Sequence, residues 1–187
     1  AYPRPTFVGT DSVSSSNTQW NTTISKIRAT NANVVIFTGY YNQAATLVKQ
    51  LRESGYTGII ASGDGSMNPE ITKLASMSNL DGMRFTSSTI QLGYLSPSLE
   101  NDFKSRVGAS SGVFALESLD STNILLYCIA NGARTRAALL NCIKSFKGTS
   151  LSGQSLEFDS NGDRVNPKWY EFRIASNLPG TSPFLLM

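Results

Sequence analysis

Two uninterrupted apolar runs constrain the fold of this chain more than any other feature. NVVIFTG (33–39) and TGIIASG (57–63) do not alternate polar with apolar residues, which predicts strands buried on both faces of a sheet. Between them, residues 43–54 place apolar side chains at helical spacing, and Gly55 follows where helices commonly end. Strand, helix and strand with short links form a βαβ unit, so we predict an α/β fold with a parallel sheet.

Further elements are predicted on both sides of this unit. They are a strand at 6–13, a helix from residue 17 or 18 to about 29, a helix near 69–77 and a strand at 82–88.

The order of predicted helices and strands changes after residue 90. Two helices are predicted, at about 115–131 and 135–147, followed by the segments SLEF (155–158) and WYEFRI (169–174) around the turn DSNGD (159–163). We interpret these last segments as the two strands of a β-hairpin. The change from βαβ to helix, helix and hairpin predicts two segments, 1–109 and 110–187.

Composition excludes several classes of function. The chain has no histidine, so Ser–His–Asp or Cys–His catalysis and His-ligated metals are excluded. Two cysteines without histidine cannot build a structural zinc site. The 16 Lys and Arg and 13 Asp and Glu are spread along the chain rather than forming a basic stripe, which argues against nucleic-acid binding. No apolar run approaches the roughly 20 residues of a membrane span. We expect neither a cofactor nor a metal.

Ligands of parallel α/β sheets bind beyond the carboxyl ends of the strands. That rule places residues 39–42 and 62–66 at the edge of a candidate site. Asp64 could accept hydrogen bonds from a cationic ligand, or it could be a solvated turn residue. Tyr40 and Tyr41 could stack on a ligand, or one could pack under the following helix while the other is exposed.

Two motifs resemble known ligand-binding loops but lack residues that those loops require. SGDGS (62–66) lacks the lysine of a phosphate-binding loop, and Asp64 would repel a phosphate. DSNGD begins like a calcium loop, but Arg164 and Tyr170 stand where that loop requires Gly and Glu. Asn161-Gly162 instead predicts a hairpin turn.

Cys128 and Cys142 lie on the two consecutive predicted helices among apolar neighbours. The pattern fits a disulfide in an exported chain or two buried thiols, and sequence does not separate these alternatives.

Four stretches carry a family resemblance, in the right order over nearly the whole chain. VVIFTGYYNQAATLVKQLRESGYTGIIASGDG (34–65) resembles the second lobe of type I periplasmic solute-binding proteins, the branched-chain amino acid family of ABC importers. DSVSSSNTQWNTTISKIRATNAN (11–33) resembles the segment before it, with Asn33 where Asp is usual. FALESLDSTNILLYCIANG (114–132) resembles the family's aromatic-Asp-Ala helix: Asp120 matches, and Leu119 replaces Tyr. GQSLEFDSNGDRVNPKWYEFRI (153–174) resembles its hairpin.

The resemblance implies a fold of two α/β lobes that close on an amino acid or similar small molecule. By position, Tyr40 matches an aromatic residue of the cleft, and Asp64 matches an acidic residue that receives the ligand's α-ammonium group. Ser62, Ser66 and Phe85 are weaker ligand-binding candidates from the same strand ends. The resemblance also implies that residues of about 110–165 pack back on the first lobe and hinge.

Members of this family are roughly twice as long as this chain, and the front half is the missing one. The resemblance therefore implies that apolar helix faces at 116–129 and 136–146 need cover. The missing first-lobe half or a second copy would supply it, or the 187 residues would rearrange. It also implies a periplasmic or extracellular location, a membrane permease as partner and no enzymatic activity. A ligand-sensing receptor ectodomain is the alternative. An enzyme would depend on Asp64 with Tyr40, the one candidate acid–base pair.

Overall fold

The computed structural model describes residues 4–176 and 182–187, which form a mixed α/β structure. The helices are α1 (Asn21–Ala29), α2 (Tyr41–Glu53), α3 (Ile71–Leu74), α4 (Met77–Leu80), α5 (Leu92–Leu95), α6 (Pro97–Val107), α7 (Ala115–Ala130) and α8 (Arg136–Lys144). The strands are β1 (Val34–Phe37), β2 (Ile59–Gly63), β3 (Arg84–Ser87), β4 (Lys147–Thr149), β5 (Ser155–Glu157), β6 (Tyr170–Ile174) and β7 (Phe184–Leu186).

The chain forms two compact units. The first contains residues up to Ser87 and from Glu171 onward, and the second contains Ser88–Tyr170. This division differs from the predicted segments 1–109 and 110–187, because β6 and β7 join the sheet that β1 to β3 begin. The assignment of the two segments to the lobes of a larger protein stays a prediction.

A five-stranded sheet with the order β1-β2-β3-β6-β7 organises the first unit. β1 and β2 are parallel, with Val34 opposite Ile59, and β2 and β3 are parallel, with Ala61 opposite Arg84. β7 is antiparallel to β6. The predicted βαβ unit and its parallel sheet are therefore confirmed.

The core of the first unit lies against one face of this sheet. Alternate strand residues such as Ile60, Phe85 and Phe172 are fully buried, as the period of two along a strand requires. Helix α2 buries the stripe that its sequence predicts, which consists of Ala44, Leu47, Val48 and Leu51. Trp20 precedes α1; its ring meets Phe37 edge-on at 5.9 Å, and its Nε1 donates to Thr46 Oγ1 at 2.9 Å.

The opposite face of the sheet is open at β1 and β2. Val34 is 48% exposed, Ile36 is 73% exposed and Ile59 is 44% exposed. On β3 and β6, an ion pair of 2.8 Å joins the half-exposed side chains of Arg84 and Glu171. The prediction that 33–39 and 57–63 are buried on both faces is therefore wrong for this structure, because no described element covers these three side chains.

Two other predicted elements of the first unit differ from the structure. Residues 6–13 form no strand; they are exposed, and no strand pairs with them. The helix predicted near 69–77 is two single turns, α3 and α4. Ala75 interrupts it in an extended conformation, and the Ser76 carbonyl then starts the next turn.

A smaller core holds the second unit together. Ile124, Cys128, Ala133 and Leu156 are buried, and half-buried apolar residues of α8 pack against them. Cys128 and Cys142 are joined in a disulfide, which settles the alternative that sequence left open and links α7 to α8. Among the described residues, no helix has the length and hydropathy needed to cross a bilayer.

Helix α7 has a buried face and an exposed apolar face. On the buried face, the Asp120 carboxylate accepts Ser150 Oγ at 2.5 Å and the Leu151 N–H at 3.0 Å, so it fixes the turn between β4 and β5. The exposed side carries Leu125, Leu126 and Ile129, and Leu140 of α8 is also exposed. The prediction that both helices present apolar surface is confirmed.

The predicted hairpin of 155–158 with 169–174 is wrong. The turn at 159–163 forms, with Asp159 Oδ1 accepting the N–H groups of Asn161 and Asp163, but only the isolated bridge Phe158–Arg164 extends it. Asn166 then adopts a φ of 53° before Pro167, which has no N–H to donate. β5 pairs instead with β4, a strand that was not predicted and that begins where the helix predicted at 135–147 was expected to end, and β6 joins the five-stranded sheet.

Candidate ligand-binding site

The carboxyl ends of β1 and β2 bring two short loops together. The loop after β1 contains Gly39 and Tyr40, and the loop after β2 is the 3₁₀ turn Asp64–Ser66. A Cβ atom on Gly65 would lie only 3.0 Å from the Gly39 carbonyl oxygen. Glycine at position 65 therefore allows the two loops to approach this closely. The sequence placed these two loops at one edge of the sheet, and the structure brings them together.

Two buried serines fasten the loops to each other. Ser66 Oγ donates to the Gly39 carbonyl at 2.8 Å, and Ser62 Oγ lies 2.7 Å from the Phe37 carbonyl and 2.8 Å from Ser66 Oγ. Each hydroxyl has one proton to donate, so Ser62 donates to one of its two partners at a time. Ser62 and Ser66 thus hold the site in shape, and their hydroxyls are engaged within the protein.

Asp64 lies at the tip of the second loop. Its Oδ1 accepts the Gly65 N–H at 3.0 Å, and among the described residues no other hydrogen bond or ion pair engages the carboxylate. The side chain is half-buried. An ionised carboxylate has about four acceptor positions, so most of its capacity remains for a ligand.

The two neighbouring tyrosines take different positions. Tyr40 precedes α2 in an extended conformation and is 69% exposed. A Cβ on Gly65 would lie 3.6 Å from its Cδ1, which places the Tyr40 ring beside the Asp64 loop. Tyr41 begins α2 and is half-buried. Tyr40 is therefore the tyrosine whose ring has the accessible area to stack on a ligand.

Phe85 lies on β3 directly opposite the candidate Ser62 on β2, but its ring is not available to a ligand. Its side chain is fully buried and meets the ring of Phe184 edge-on at 5.3 Å. This packing makes Phe85 a core residue of the first unit, because a ligand at the surface cannot reach it without repacking the core.

One residue near the site was not among the predicted candidates. Gln43, in the first turn of α2, is buried, and its Nε2 donates to the Ser14 carbonyl at 3.0 Å. This bond holds the hydroxyl-rich segment around Ser14 against the start of α2. The signal in the sequence is a polar residue at the spacing of the buried stripe, four positions before Leu47.

The arrangement suits the recognition of an organic cation. A half-buried carboxylate can accept charge-assisted hydrogen bonds, and an adjacent aromatic ring supplies apolar contact and attraction for a cation. The described residues contain no group of three or more acidic or cysteine side chains placed to hold a metal ion.

Comparison with known sequences identifies the family. The sequence pattern of the family described as "Periplasmic binding protein" matches residues 3–178. The chain belongs to the periplasmic binding protein family.

Individual relatives agree with this assignment. An amino acid binding protein of Pseudomonas aeruginosa is 29% identical over 151 residues. The crystal structure of a leucine binding protein, LivK, from Thermotoga maritima matches with a TM-score of 0.77 at 20% identity. LivJ from Streptococcus pneumoniae, solved in complex with isoleucine, matches with a TM-score of 0.72 at 21% identity. These structures show the same fold, so the predicted type I periplasmic binding fold is confirmed.

The chain spans about half the length of the relatives it matches. The Pseudomonas aeruginosa alignment covers 77% of this chain but 39% of that protein. The LivK match covers 92% of this chain and 48% of that chain, and the LivJ match covers 86% and 46%. These proportions agree with the expectation that this chain corresponds to about half of the family's two-lobed fold.

Proposed function

We propose that this chain supplies one side of the binding site of a solute-binding protein that captures an amino acid or a similar small amine. Binding is reversible and involves no chemical change of the ligand. The captured molecule is delivered to the membrane permease of an ABC importer, in the periplasm or outside the cell. The single observation that carries the proposal is the Asp64 carboxylate: its loop lies beside the ring of Tyr40, and the described residues leave most of its acceptor positions unused.

The chemistry of an amino acid fits this loop. Its α-ammonium group has three N–H donors, and a carboxylate is the acceptor that gives short, charge-assisted hydrogen bonds. Tyr40 offers an exposed ring beside the loop that carries Asp64, for the apolar part of the ligand. Family membership and the names of the relatives, which include amino acid, leucine and isoleucine binders, support the same class of ligand.

The site gives little support to catalysis. General acid–base chemistry needs a donor and an acceptor of matched pKa within hydrogen-bond reach of the reacting group. The chain has no histidine, so Asp64 with Tyr40 is the candidate pair, and a pair of this kind also serves simple capture.

Calorimetry on the protein expressed from its complete gene tests the proposal. We expect one of the standard amino acids to bind at one site, and Asp64→Asn to weaken its binding roughly 10- to 150-fold, because a hydrogen bond to a charged group contributes about 1.5–3 kcal/mol. Asp163→Asn, a matched change of an exposed carboxylate in the second unit, should leave the affinity unchanged.

A second ligand makes the test specific for the ammonium group. The carboxylic acid that lacks the amino group should bind weakly to the unchanged protein, and Asp64→Asn should alter its affinity little. If Asp64→Asn weakens both ligands equally, Asp64 acts through the shape of the loop and the ammonium assignment is wrong. One relative of the fold, from Rhodopseudomonas palustris, was solved in complex with benzoate, so carboxylates without an ammonium group belong in the panel.

Gene context separates delivery from sensing. Neighbouring permease and ATPase genes support transport, whereas a membrane span and a kinase domain on the same polypeptide support a ligand-sensing ectodomain.

A further inference from the structure

A polar cavity lies at the amino ends of β1 and β2. The loop before β1 and the loop before β2 border it together, and its volume of about 370 Å³ is at the lower end of the range for small-molecule sites. Its polar side chains come from the end of α1 and from both loops: Arg28, Asn31, Asn33, Ser54, Tyr56 and Thr57. Of the described residues in the lining, Arg28 alone is charged, so no lining carboxylate neutralises it.

Several hydrogen-bond donors at this cavity are not used by the protein. Among the described residues, no hydrogen bond or ion pair engages the guanidinium group of Arg28 or the side-chain amides of Asn31 and Asn33. The same part of the chain supplies no acceptor for the N–H groups of Thr57 and Gly58. A guanidinium group has five N–H donors in a planar fork that matches a carboxylate or a phosphate. The unused groups therefore suit an oxyanion.

Both loops are held in place by bonds that leave these donors available. Arg52 Nη1 donates to the Tyr56 carbonyl at 2.9 Å and to the Gly58 carbonyl at 2.8 Å, which fixes the loop before β2. Asn31 has a φ of 50° and Gly55 a φ of 89°, the left-handed conformation that commonly ends a helix. A ligand that binds to loops already fixed in this way has little conformational entropy to remove.

The local charges favour an anion over a cation. Helices α1 and α2 both end at the cavity, and each helix C-terminus carries about half a negative charge. The two guanidinium groups of Arg28 and Arg52 exceed that sum. Glu53, the last residue of α2, is exposed and is not part of the lining. The Arg52 carbonyl accepts the Gly55 N–H at 2.9 Å, so a cation would have to compete for it.

We propose that this cavity binds a small oxyanion, a carboxylate or phosphate group, through Arg28 and the amides of Asn31 and Asn33. Arg28 also stabilises α1, because a cation in the last turn interacts favourably with the helix dipole, but that role needs neither a cavity nor free asparagine amides. The proposed amino acid site follows the carboxyl ends of β1 and β2, whereas this cavity precedes their amino ends. The inference therefore does not depend on the proposed function.

NMR titration of the protein expressed from its complete gene tests the site. Inorganic phosphate, acetate and chloride are added separately as sodium salts at equal ionic strength. We expect phosphate, acetate or both to shift the amide signals of Gly55 and Gly58 to a saturating value, whereas chloride should not. The anion with the lower midpoint identifies the group that the site prefers. No shift, or equal shifts with all three salts, would overturn the proposal.

Three variants test the assignment of the donors. Arg28→Gln should weaken binding at least about tenfold, because it removes charge-assisted hydrogen bonds. Asn31→Gly should weaken it about two- to tenfold through the loss of one neutral donor, without straining the turn, since glycine adopts a positive φ readily. Lys104→Gln removes a positive charge from the last turn of α6 and should leave binding unchanged. If Lys104→Gln weakens binding as much as Arg28→Gln, the anion responds only to net charge and the assignment is wrong.

Discussion

The two units of this chain are held together by different means. The first unit packs large side chains such as Trp20, Leu47 and Phe172 to full burial against one sheet face. The second unit buries a cluster of four residues around α7 and adds a covalent link between Cys128 and Cys142. Large cores gain most of their stability from apolar burial, whereas small cores commonly rely on cross-links. The comparison predicts that the first unit is most sensitive to loss of volume and the second to loss of the disulfide.

The largest effect is expected from a cavity in the first unit. Phe85→Ala should lower the free energy of unfolding by about 3–5 kcal/mol, because the phenyl ring is fully buried against Phe184. Urea titration followed by the fluorescence of the buried Trp20 measures it, with the exposed Val107→Ala as a control that should change it by less than about 0.5 kcal/mol. A loss below 1 kcal/mol would mean that Phe85 is not part of a close-packed core, and would return it to the list of ligand-contact candidates.

Loss of the disulfide should have the next largest effect and should fall on the second unit. The paired change Cys128→Ala with Cys142→Ala removes a cross-link with a sequence separation of 14 residues, which is worth about 3 kcal/mol in the chain-entropy description. Hydrogen exchange should show faster exchange of the α8 amides and little change in α2. Equal loss of protection in both helices would contradict the claim that the disulfide stabilises the second unit only, because it would show that the cross-link stabilises the whole chain.

The smallest effect is expected from loss of the contacts that Asp11, in the segment before α1, makes with that helix. Lys26 Nζ donates to Asp11 Oδ1 at 2.7 Å and Thr23 Oγ1 donates to Oδ2 at 2.8 Å. These bonds, that of Lys26 above all, lower the pKa of Asp11 below its ordinary value of 3.8. Because the folded pKa is depressed, the contact is fully present above pH 3.8 and is lost as the pH falls through the folded value.

Carbon NMR of the Asp11 carboxyl group should therefore give a midpoint below 3.8, and Lys26→Met should move it upward. If Lys26→Met does not change the midpoint, the contact between Lys26 and Asp11 does not form in solution.

The two units also differ in how much of their structure the sequence could predict. In the first unit, local patterns were sufficient for β1, α2, β2 and the meeting of their loops, because an apolar run and an amphipathic helix leave few ways to pack. The burial of Phe85 was not predictable, since a strand-end phenylalanine fits a site as well as a core. The exposure of Ile36 was not predictable either, because it depends on what lies on the other side of the sheet.

In the second unit, pairing depended on features that no local pattern encodes. The hairpin prediction failed because β5 pairs with β4, the strand before it, and Asp120 of α7 binds the turn between these two strands from 30 residues earlier in the chain. Likewise the disulfide followed from the approach of α7 and α8 rather than from the spacing of the cysteines. Long-range contacts of this kind decide strand partners, whereas local propensity decides only that strands exist.

The central claim is that Asp64 receives the ammonium group of the ligand, and a crystal structure of the protein from its complete gene with its bound amino acid tests it most directly. The account predicts the ligand nitrogen at about 2.7–2.9 Å from an Asp64 carboxylate oxygen, with the ring of Tyr40 against the ligand. A bound amino acid whose nitrogen is held by other residues, with Asp64 turned to solvent, would contradict it.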